Sequence, residues 1–358
     1  MSLEDLRKKI DETDARIVKL ISERIKIVRE IGREKNKQGK QIEDVEREGR
    51  VMENIRRVAQ EENLDQEGIN SIYRQIVNMS KSVQGMIIAF QGEIGAYSEA
   101  AASSFFGPSI QVKPCETLDE VFRVVEQGEA QFGIVPIENS LEGSISRVYD
   151  LLLDSSLRVC GETELRIAHC LIANPQARLD LIKKVYSHPQ ALGQCQAFLR
   201  HLNLEIIPTY DTAGSVKMIK EMGITDGAAI ASTRAAEIYE MQIIAREIED
   251  NTNNYTRFFI LAKQDSPPSG NDKTSIVFSV KHRPGALYEF LSDLASNNIN
   301  LTKIESRPTR QKPWEYNFYL DFEGHREDEA ARESLNKLER NSIFVKVLGS
   351  YPRSNTRL

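Results

Sequence analysis

A hydroxyl, a cation and an aromatic ring stand side by side at Thr256, Arg257 and Phe258. An asparagine-rich run, residues 251–255, precedes them, and an apolar strand, Phe259–Ala262, follows. Together they would supply a proton donor, a clamp for a carboxylate and a flat wall, which a pocket for an anionic ring compound needs. The alternative is an ordinary strand start with one surface arginine, which is the commoner origin of such a pattern.

Charged residues also interrupt the apolar stripes of the N-terminal segment. Arg24 and Glu48 occupy positions where the helical period asks for an apolar residue, and Lys35 lies on the same helix face as Arg24. Ser80 and Gln84 share a face at a spacing of four. A charge that faces a helical core is costly unless it is paired or binds a ligand. Two interpretations stay open here: a ligand pocket, or a buried Arg24–Glu48 ion pair that fixes the register of a dimer.

Residues 1–85 have the apolar period of helices, with a connection at Gly39 and a predicted N-cap at Asp65. The apolar positions are Leu3, Leu6, Ile10, Ile17, Leu20, Ile27 and Ile31, then Val45, Met52, Ile55 and Ala59, then Ile69, Ile72, Ile76, Met79 and Val83. One long and two shorter helices form a thin layer that cannot bury this much apolar surface alone. The sequence therefore predicts an intertwined homodimer.

Residues 86–265 alternate between short apolar runs and amphipathic stretches, which predicts a mostly parallel sheet built from βαβ units. The runs are Ile87–Phe90, Phe132–Val135, Val185–Tyr186, Ala228–Ala231 and Phe258–Leu261. Ligands of such sheets bind at the carboxyl ends of strands. The polar loops 136–140 and 187–190 follow two of the runs, which favours a cleft between two lobes.

Residues 272–354 form a third unit, which follows a linker at Ser266–Gly270. Its predicted elements are a strand (Ser275–Lys281), a helix (Gly285–Ala295), two strands (Asn300–Arg307 and Glu315–Phe322), a helix (Asp328–Leu338) and a strand (Phe344–Gly349). This β-α-β-β-α-β order is the ferredoxin-like plan of an α+β domain. Because the linker is short, motion of this unit should reach the lobes.

The composition argues against several classes of function. The chain has 358 residues and a formal net charge of −6, which does not favour nucleic acid or a membrane surface as a partner. It has no apolar run that would span a bilayer, and its charged N-terminus lacks the apolar core of a signal peptide. The four cysteines and five histidines lack metal-site spacing. We therefore expect a cytoplasmic protein with reduced thiols and no metal.

The helical segment resembles the all-helical chorismate mutase family over its full length. The residues at positions that match the family's pocket are Arg7, Arg24, Lys35, Asp44, Arg47, Glu48, Ser80 and Gln84. The resemblance implies that Arg24, with Arg7 from a partner subunit, holds the two carboxylates of chorismate. It also implies that Lys35 and Gln84 face the ether oxygen and that Glu48 takes the ring hydroxyl. The rearrangement to prephenate is unimolecular, so positioned cations and amides suffice and no cofactor is implied.

Residues 86–265 resemble the prephenate dehydratase family in motifs that occur in the family's order. These motifs are Glu138-Asn139, His169-Cys170, Ser187-His188-Pro189-Gln190 with Gln194-Cys195, Thr212-Ala213 and Thr256-Arg257-Phe258. The resemblance implies a two-lobed fold like that of periplasmic binding proteins. It also implies that prephenate loses hydroxide and CO2 to give phenylpyruvate.

In this family Thr256 is expected to donate to the leaving hydroxyl, either directly or through a relay. The residues expected to bind the substrate in the cleft are Asn139, Ser187, Gln194, Thr212, Arg257 and Phe258. The alternative for Arg257 is a salt bridge between lobes, and the alternative for Ser187 or Thr212 is a helix N-cap. Glu93 stands where the family usually has a proline, which leaves the shape of the loop Phe90–Ser98 open.

The third unit resembles the phenylalanine-sensing ACT domain of the same family. The matching motifs are Gly285-Ala286-Leu287 and Glu305-Ser306-Arg307-Pro308. The resemblance implies that both motifs bind phenylalanine as an effector, with a helix N-terminus at its carboxylate. The alternative is that Gly285, which follows Pro284, only starts a helix. Such domains pair across subunits, which implies a homodimer or a dimer of dimers.

The chain as a whole resembles the bifunctional family that joins chorismate mutase and prephenate dehydratase to a regulatory tail. It is thus expected to be an enzyme of phenylalanine biosynthesis that phenylalanine inhibits. Two rivals are a dehydratase whose helical segment only dimerises, and a non-catalytic amino-acid-binding regulator on a two-lobed fold. The eight matching pocket positions argue against the first rival, and the intact Thr256-Arg257-Phe258 argues against the second.

Overall fold

The computed structural model describes residues 3–37, 45–83, 86–108, 110–175, 177–281, 283–309 and 314–354. The chain divides into two compact units, one of residues 1–87 with 103–111, the other of residues 88–102 with 112–358. Within the described ranges, no helix is both long enough and apolar enough to cross a membrane.

The first unit contains the predicted helices, α1 (Leu3–Lys37), α2 (Val45–Glu61) and α3 (Gln66–Val83). Helix α3 packs against both α1 and α2. The predicted cap at Asp65 is confirmed, because its carboxylate accepts hydrogen bonds from the backbone N–H groups of Glu67 and Gly68 at 3.1 and 3.0 Å. The predicted connection at Gly39 lies outside the described residues.

The apolar stripe of α1 is largely exposed in a single chain. Val28 of α1 and Ala59 of α2 are buried, whereas Leu20 and Ile10 are 62% and 60% exposed. The other exposed apolar residues of α1 are Leu6, Ile17, Val18, Ile27 and Ile31. The helices therefore leave much of their apolar surface uncovered, as the sequence pattern suggests.

The α/β segment begins with β1 (Ile87–Gln91), α4 (Tyr97–Phe106), β2 (Gln111–Cys115), α5 (Leu118–Gln127), β3 (Phe132–Asn139), β4 (Gly143–Ser144), α6 (Ser146–Asp154) and β5 (Arg158–Arg166). It continues with β6 (Cys170–Ala173), β7 (Lys184–Ser187), α7 (Pro189–Gly193), α8 (Gln196–Arg200), β8 (Glu205–Pro208), α9 (Thr212–Glu221), β9 (Gly227–Ala231), α10 (Thr233–Ile238), β10 (Gln242–Ala245) and β11 (Tyr255–Ala262).

Two sheets give this segment its two lobes, as predicted. The first has the strand order β2-β1-β3-β11-β5, with β4 beside β3, and the second has the order β10-β6-β9-β7-β8. The chain enters the second lobe between β5 and β6 and returns between β10 and β11. Strand β11 therefore runs antiparallel to both β3 and β5. The expectation of a mostly parallel sheet is wrong for this strand and for β6, which is antiparallel to β9 and β10.

The C-terminal domain has the predicted ferredoxin-like plan. Its elements are β12 (Asp272–Val280), α11 (Ala286–Ser296), β13 (Leu301–Pro308), β14 (Tyr316–Glu323), α12 (Glu329–Asn341) and β15 (Ser342–Pro352). The strands form an antiparallel sheet in the order β13-β14-β12-β15. Both helices pack on this sheet around a core that includes Phe278, Phe290, Phe322 and Leu338.

Candidate active sites

Thr256 and Asn139 meet at the point where β11 begins and β3 ends. They lie opposite each other in the antiparallel register, and Asn139 Nδ2 is 3.0 Å from Thr256 Oγ1. Both side chains are buried. The return of the chain from the second lobe thus places the predicted proton donor beside the predicted cleft residue, 117 positions apart in sequence.

The amide of Asn139 has a fixed orientation. Its Oδ1 accepts hydrogen bonds from the backbone N–H groups of Leu141 and Glu142, both at 3.0 Å. Its Nδ2 must therefore face Thr256, together with Asn254 Oδ1 at 2.7 Å and the Tyr255 carbonyl at 3.1 Å. Since the Thr256 oxygen accepts this N–H, its own hydroxyl proton is available for donation.

The hydrogen bonds continue from Asn139 into the second lobe. Asn254 Nδ2 donates to Gln194 Oε1 at 2.9 Å, and His169 Nε2 is 2.9 Å from the same oxygen. On the other side of the ring, the hydroxyl of Tyr97 is 2.9 Å from His169 Nδ1, and it also donates to the Ala168 carbonyl at 2.8 Å. Each step fixes the next, because the orientation of Asn139 determines that of Asn254 and hence that of Gln194. His169 therefore carries its proton on Nε2.

The buried position of His169 keeps its ring neutral. Burial lowers the pKa of His169 below its usual 6.5, although the hydrogen bond that Nε2 donates to Gln194 and the charge of Glu249 oppose this shift. Burial also raises the pKa of the Tyr97 hydroxyl well above its usual value. The chain from Thr256 to Tyr97 is therefore built from uncharged groups and holds the two lobes in register.

Ser187 and Thr212 lie at the start of second-lobe helices, but neither is the N-cap. The Ser187 hydroxyl donates to the Ile230 carbonyl at 2.6 Å, so it ties β7 to β9. The caps are the neighbouring side chains of His188, for α7, and Asp211, for α9. Thr212 is half-buried as the first residue of α9. At both sites the N-cap is therefore the residue next to the predicted one, after Ser187 in α7 and before Thr212 in α9.

Glu93 joins the two lobes across the cleft. Its carboxylate is 3.1 Å from Lys217 Nζ on α9 and 3.1 Å from the hydroxyl of Tyr210. Partial desolvation of the hydroxyl and its bond to Glu93 raise the pKa of Tyr210 to about 12, although most of the side chain is exposed. The backbone beside Glu93 comes equally close to the second lobe, since a Cβ on Gly95 would lie 2.9 Å from Ala235 Cα. The unusual glutamate therefore makes a contact between lobes that a proline cannot make.

The guanidinium of Arg257 faces away from the cleft. It contacts Glu162 of β5 at 2.7 Å and Asp321 of the C-terminal domain at 2.6 Å, and it donates to the hydroxyl of Tyr351. Burial opposes its charge, but the surrounding acidic groups outweigh burial and raise the pKa of Arg257 above its usual value. With its charge neutralised by two carboxylates, Arg257 does not suit the predicted clamp for the substrate. It does not bridge the lobes either.

Phe258 belongs to the core. Its side chain is 1% exposed. It therefore presents no open ring face to a ligand, and the predicted aromatic wall of the pocket does not agree with this position. The apolar run Phe258–Leu261, which begins with this residue, is buried within one chain on both faces of the sheet.

The predicted mutase pocket is described only in part. Arg24 is half-buried on α1, whereas Arg7 on α1 and Arg47 on α2 are exposed. Lys35, Glu48 and Ser80 lie on the three helices, but their side chains lie outside what the structure describes. Asp44 and Gln84 lie outside the described residues altogether. The role of these positions and the Arg24–Glu48 alternative remain predictions.

The second motif of the C-terminal domain is divided between two faces of β13. Ser306 and Pro308 are exposed, whereas Glu305 and Arg307 turn inward. Arg307 donates to Ser146 Oγ at 2.6 Å and contacts Asp150 at 3.2 Å, both on α6. Glu305, which hydrogen-bonds with Ser144, and Arg307 therefore contact the α/β segment, and the effector role of this motif stays a prediction.

Gly285 is the N-cap of α11, with Ala286 and Leu287 in the first turn, and it has φ of +83°. This conformation favours glycine, because a Cβ would be strained there. The residue thus has a backbone reason for its identity, whether or not an effector lies beside it.

Several residues in and around the first candidate site carried no clear signal in the sequence. Asn254 lies inside the asparagine-rich run 251–255. The run as a whole indicates a polar loop, but nothing in the sequence distinguishes Asn254 from the other asparagines. Glu162, Asp321 and Lys303 gave no signal, because isolated charges on strands usually face solvent. Their burial follows from the packing of two domains.

Comparison with known proteins identifies the three parts of the chain. Family models for chorismate mutase type II, prephenate dehydratase and the ACT domain match residues 6–85, 88–266 and 274–340. A bifunctional chorismate mutase/prephenate dehydratase of Aquifex aeolicus is 40% identical over 359 residues, 98% of each chain.

Two solved structures each resemble 76% of the chain. Prephenate dehydratase of Arthrobacter aurescens in complex with L-Phe has a TM-score of 0.70 and 31% identity, over 76% of this chain and 91% of that one. GqqA, described as a novel type of quorum quenching acylase, has a TM-score of 0.70 and 34% identity, over 76% of this chain and 100% of that one. Given the nearly full-length likeness to the Aquifex protein, the chain belongs to the family of bifunctional chorismate mutase/prephenate dehydratases.

Proposed function

We propose that the helical segment rearranges chorismate to prephenate and that the α/β segment converts prephenate to phenylpyruvate. The observation that carries the second step is the oriented Asn139–Thr256 pair, with its hydroxyl proton available for donation. Loss of CO2 from prephenate sends electrons through the ring toward the C–O bond of the leaving hydroxyl. Aromatisation drives this step, so a hydrogen bond to the leaving oxygen is the main need.

Within that reaction, Thr256 donates to the leaving hydroxyl. Asn139 sets the direction of the donated proton, and Gln194 holds Asn254 and His169 in place behind it. The half-buried Thr212 lines the second lobe of the cleft, and the buried Ser187 supports that lobe through its bond to the Ile230 carbonyl. The hydrogen-bonded side chains from Thr256 to Tyr97 are uncharged. They therefore place no cation against the carboxylate of the substrate, which must leave as CO2.

For the mutase, the proposal assigns both carboxylates of chorismate to Arg24 and to Arg7 of a second copy. Lys35 and Gln84 stabilise the charge that develops on the ether oxygen, and Glu48 takes the ring hydroxyl. Asp44, Arg47 and Ser80 complete the pocket. The exposed stripe on α1 supports the second copy, because a homodimer would cover it.

The proposal extends to control by phenylalanine, which the C-terminal domain would bind near Gly285, Ala286 and Leu287 and on the outward face of β13 at Ser306 and Pro308. The Arthrobacter relative in complex with L-Phe supports this ligand. Pairing of these domains makes a homodimer or a dimer of dimers. The four cysteines are free thiols, which suits the cytoplasm.

The test replaces Thr256 with valine, which keeps the shape and removes the hydroxyl. Dehydratase kcat should fall by about two orders of magnitude or more, because the hydrogen bond to the leaving group is lost. Chorismate should still be consumed, so that prephenate accumulates. A near-normal rate of phenylpyruvate formation would show that Thr256 is not the donor to the leaving hydroxyl.

The acylase likeness suggests a second function, but the contacts of Thr256 do not favour it. An acylase that used Thr256 as its nucleophile would need a base to accept the hydroxyl proton. Asn139 instead presents an N–H donor to that oxygen. The geometry therefore suits a proton donor better than a nucleophile.

A further inference from the structure

The two strands that carry Thr256 and Asn139 carry a second pair of residues one position further along. In the antiparallel register of β3 and β11, Thr256 lies opposite Asn139, and Arg257 lies opposite Glu138. Successive side chains of a strand point to opposite faces of the sheet. Thr256 and Asn139 face the hydrogen-bonded chain between the lobes, whereas Arg257 and Glu138 face the C-terminal domain.

Arg257 and Glu138 each hold a charged residue of that domain. Arg257 Nη1 is 2.6 Å from Asp321 Oδ2 on β14, and Glu138 Oε2 is 2.7 Å from Lys303 Nζ on β13. The first pair is almost fully buried, since the side chains of Arg257 and Asp321 are 12% and 8% exposed. Such a buried pair is costly to break, because a charge that loses its partner stays buried with less compensation.

Strand β13 also holds the turn that orients Asn139. Lys303 Nζ donates to Ser144 Oγ at 3.0 Å, and Glu305 hydrogen-bonds with the same hydroxyl. Ser144 lies on β4, which pairs with the end of β3. The turn between β3 and β4 supplies the two N–H groups that fix the amide of Asn139. A displacement of β13 would therefore move that turn.

A β-bulge lies next to these residues. The register shifts between Arg257 and Phe258, so that Phe258 lies opposite Pro136 and Ile137 has no opposite residue. Bulges interrupt the ladder and bend the strand locally. The strand ends that carry Glu138 and Arg257 can thus shift without dislocating the buried strands beyond the bulge.

From these contacts we infer that Arg257 and Glu138 are positioning residues, which transmit the state of the C-terminal domain to Thr256. The inference rests on the proposed inhibition by phenylalanine. An effector on β13 or beside Gly285 displaces β13 and β14, and the two ion pairs carry that displacement to the strand ends. The amide of Asn139 then turns, and the hydroxyl proton of Thr256 leaves its productive direction.

The test uses the full-length chain and two variants, Asp321→Asn and Lys303→Met, which each remove one of the ion pairs. The matched control is Asp265→Asn, which removes an ion pair with Arg326 (2.7 Å) that joins the same domains beyond the end of β11. The measurements are phenylalanine binding by calorimetry and the ratio of dehydratase rates without and with saturating phenylalanine. In the two variants this ratio should fall at least about fivefold while phenylalanine still binds. The control should match the wild type.

Three outcomes would contradict the inference in different ways. An unchanged ratio in both variants, with an inhibited wild type, overturns the coupling and leaves the proposed function intact. Loss of phenylalanine binding in both variants also overturns it, because the ion pairs would then belong to the effector site. A wild type that neither binds phenylalanine nor is inhibited by it removes the proposed regulation together with the inference.

Arg257 provides an independent readout that separates positioning from substrate binding. Arg257→Gln should lower dehydratase kcat with an unchanged KM for prephenate, and Arg257→Lys, which retains a cation, should recover part of the loss. A raised KM with an unchanged kcat would assign Arg257 to the substrate and overturn the inference. If circular dichroism finds either variant unfolded, Lys303→Met decides, since its partner Glu138 is 36% exposed and the pair is less buried.

Discussion

The helical unit and the α/β segment treat their apolar residues in opposite ways. On α1, Leu20 and Ile10 are mostly exposed, whereas Phe258–Leu261 of β11 are buried by the same chain. The polar groups of the α/β segment are also satisfied within one chain, since Asn139 and Thr256 form a hydrogen-bonded pair there. One chain thus builds the candidate dehydratase site, whereas the helical unit has exposed apolar surface that a second copy could cover. We therefore expect the mutase, but not the dehydratase, to depend on the association of two chains.

The largest expected effect separates the two activities at Arg24. Arg24→Ala should lower mutase turnover by about two orders of magnitude or more, because a cation that stabilises the bound carboxylates and the transition state is lost. Dehydratase activity with added prephenate should be unchanged. Arg16→Ala, an exposed arginine on the same helix, is the control. A wild-type mutase rate in Arg24→Ala would restore the structural ion pair as the role of Arg24.

A smaller effect should follow from a charge in the exposed stripe. Leu20→Glu would place a carboxylate where a second copy is expected to pack, so the helical unit should dissociate and mutase activity should fall about tenfold or more. Sedimentation would follow the assembly, and both activities would be assayed on the same sample. Lys19→Glu, at the adjacent exposed position, is the control. Equal losses of the two activities would contradict the division between the two regions.

Much of the fold was predictable because its signals are local. The cap at Asp65 depends on residues two and three positions away, and the order of elements after the linker follows from alternation along each strand. The direction of β11 could not be predicted from residues close to it in the sequence. It depends on where the chain returns from the second lobe, which no periodicity within Tyr255–Ala262 records.

The site divides in the same way. Family resemblance brought Asn139 and Thr256 together, and the structure places them in contact. The partners of Arg257 escaped prediction, because Asp321 and Glu162 lie 64 and 95 positions away and belong to strands of two domains. A cation beside a proposed catalytic residue suggests a site for a substrate anion. The alternation of side chains along β11 instead places the guanidinium of Arg257 on the other face of the sheet.

Contacts inside one chain should tune the dehydratase, and Glu93 offers a test of modest size. Glu93→Gln keeps the bond to Tyr210 but removes the charge that faces Lys217, a pair that is 27% and 37% exposed. Such a pair contributes about 0.2–1 kcal/mol, so KM for prephenate should rise by up to about fivefold, with a smaller change in kcat. Glu129→Gln, which removes an ion pair with Lys113 within the first lobe, should leave both constants unchanged. Identical KM values in the two variants would deny Glu93 its role between the lobes.

The smallest expected effect concerns how the buried chain behind Thr256 responds to pH. His169 is 2% exposed and lies between Gln194 and Tyr97, with Glu249 bound to its backbone N–H. Burial lowers the pKa of His169 in the folded chain, while in the unfolded chain it titrates near 6.5. Below that value the unfolded state takes up a proton that the folded state still refuses. The free energy of unfolding should therefore decrease as the pH falls through 6.5.

Scanning calorimetry about one pH unit above and below the ordinary histidine pKa would measure this decrease. The transition of the wild type should shift to lower temperature in the acidic sample by more than that of His169→Gln, which has no proton to gain at this position. The glutamine variant should be less stable at both pH values, since it loses the contact between the imidazole ring and the Tyr97 hydroxyl, so the comparison concerns the shift and not the absolute temperature. His201→Gln, at an exposed histidine, should shift as the wild type does. Equal shifts in wild type and His169→Gln would mean that the folded ring takes up a proton as readily as the unfolded chain does. Nδ1 of His169 would then donate to the Tyr97 oxygen instead of accepting a hydrogen bond.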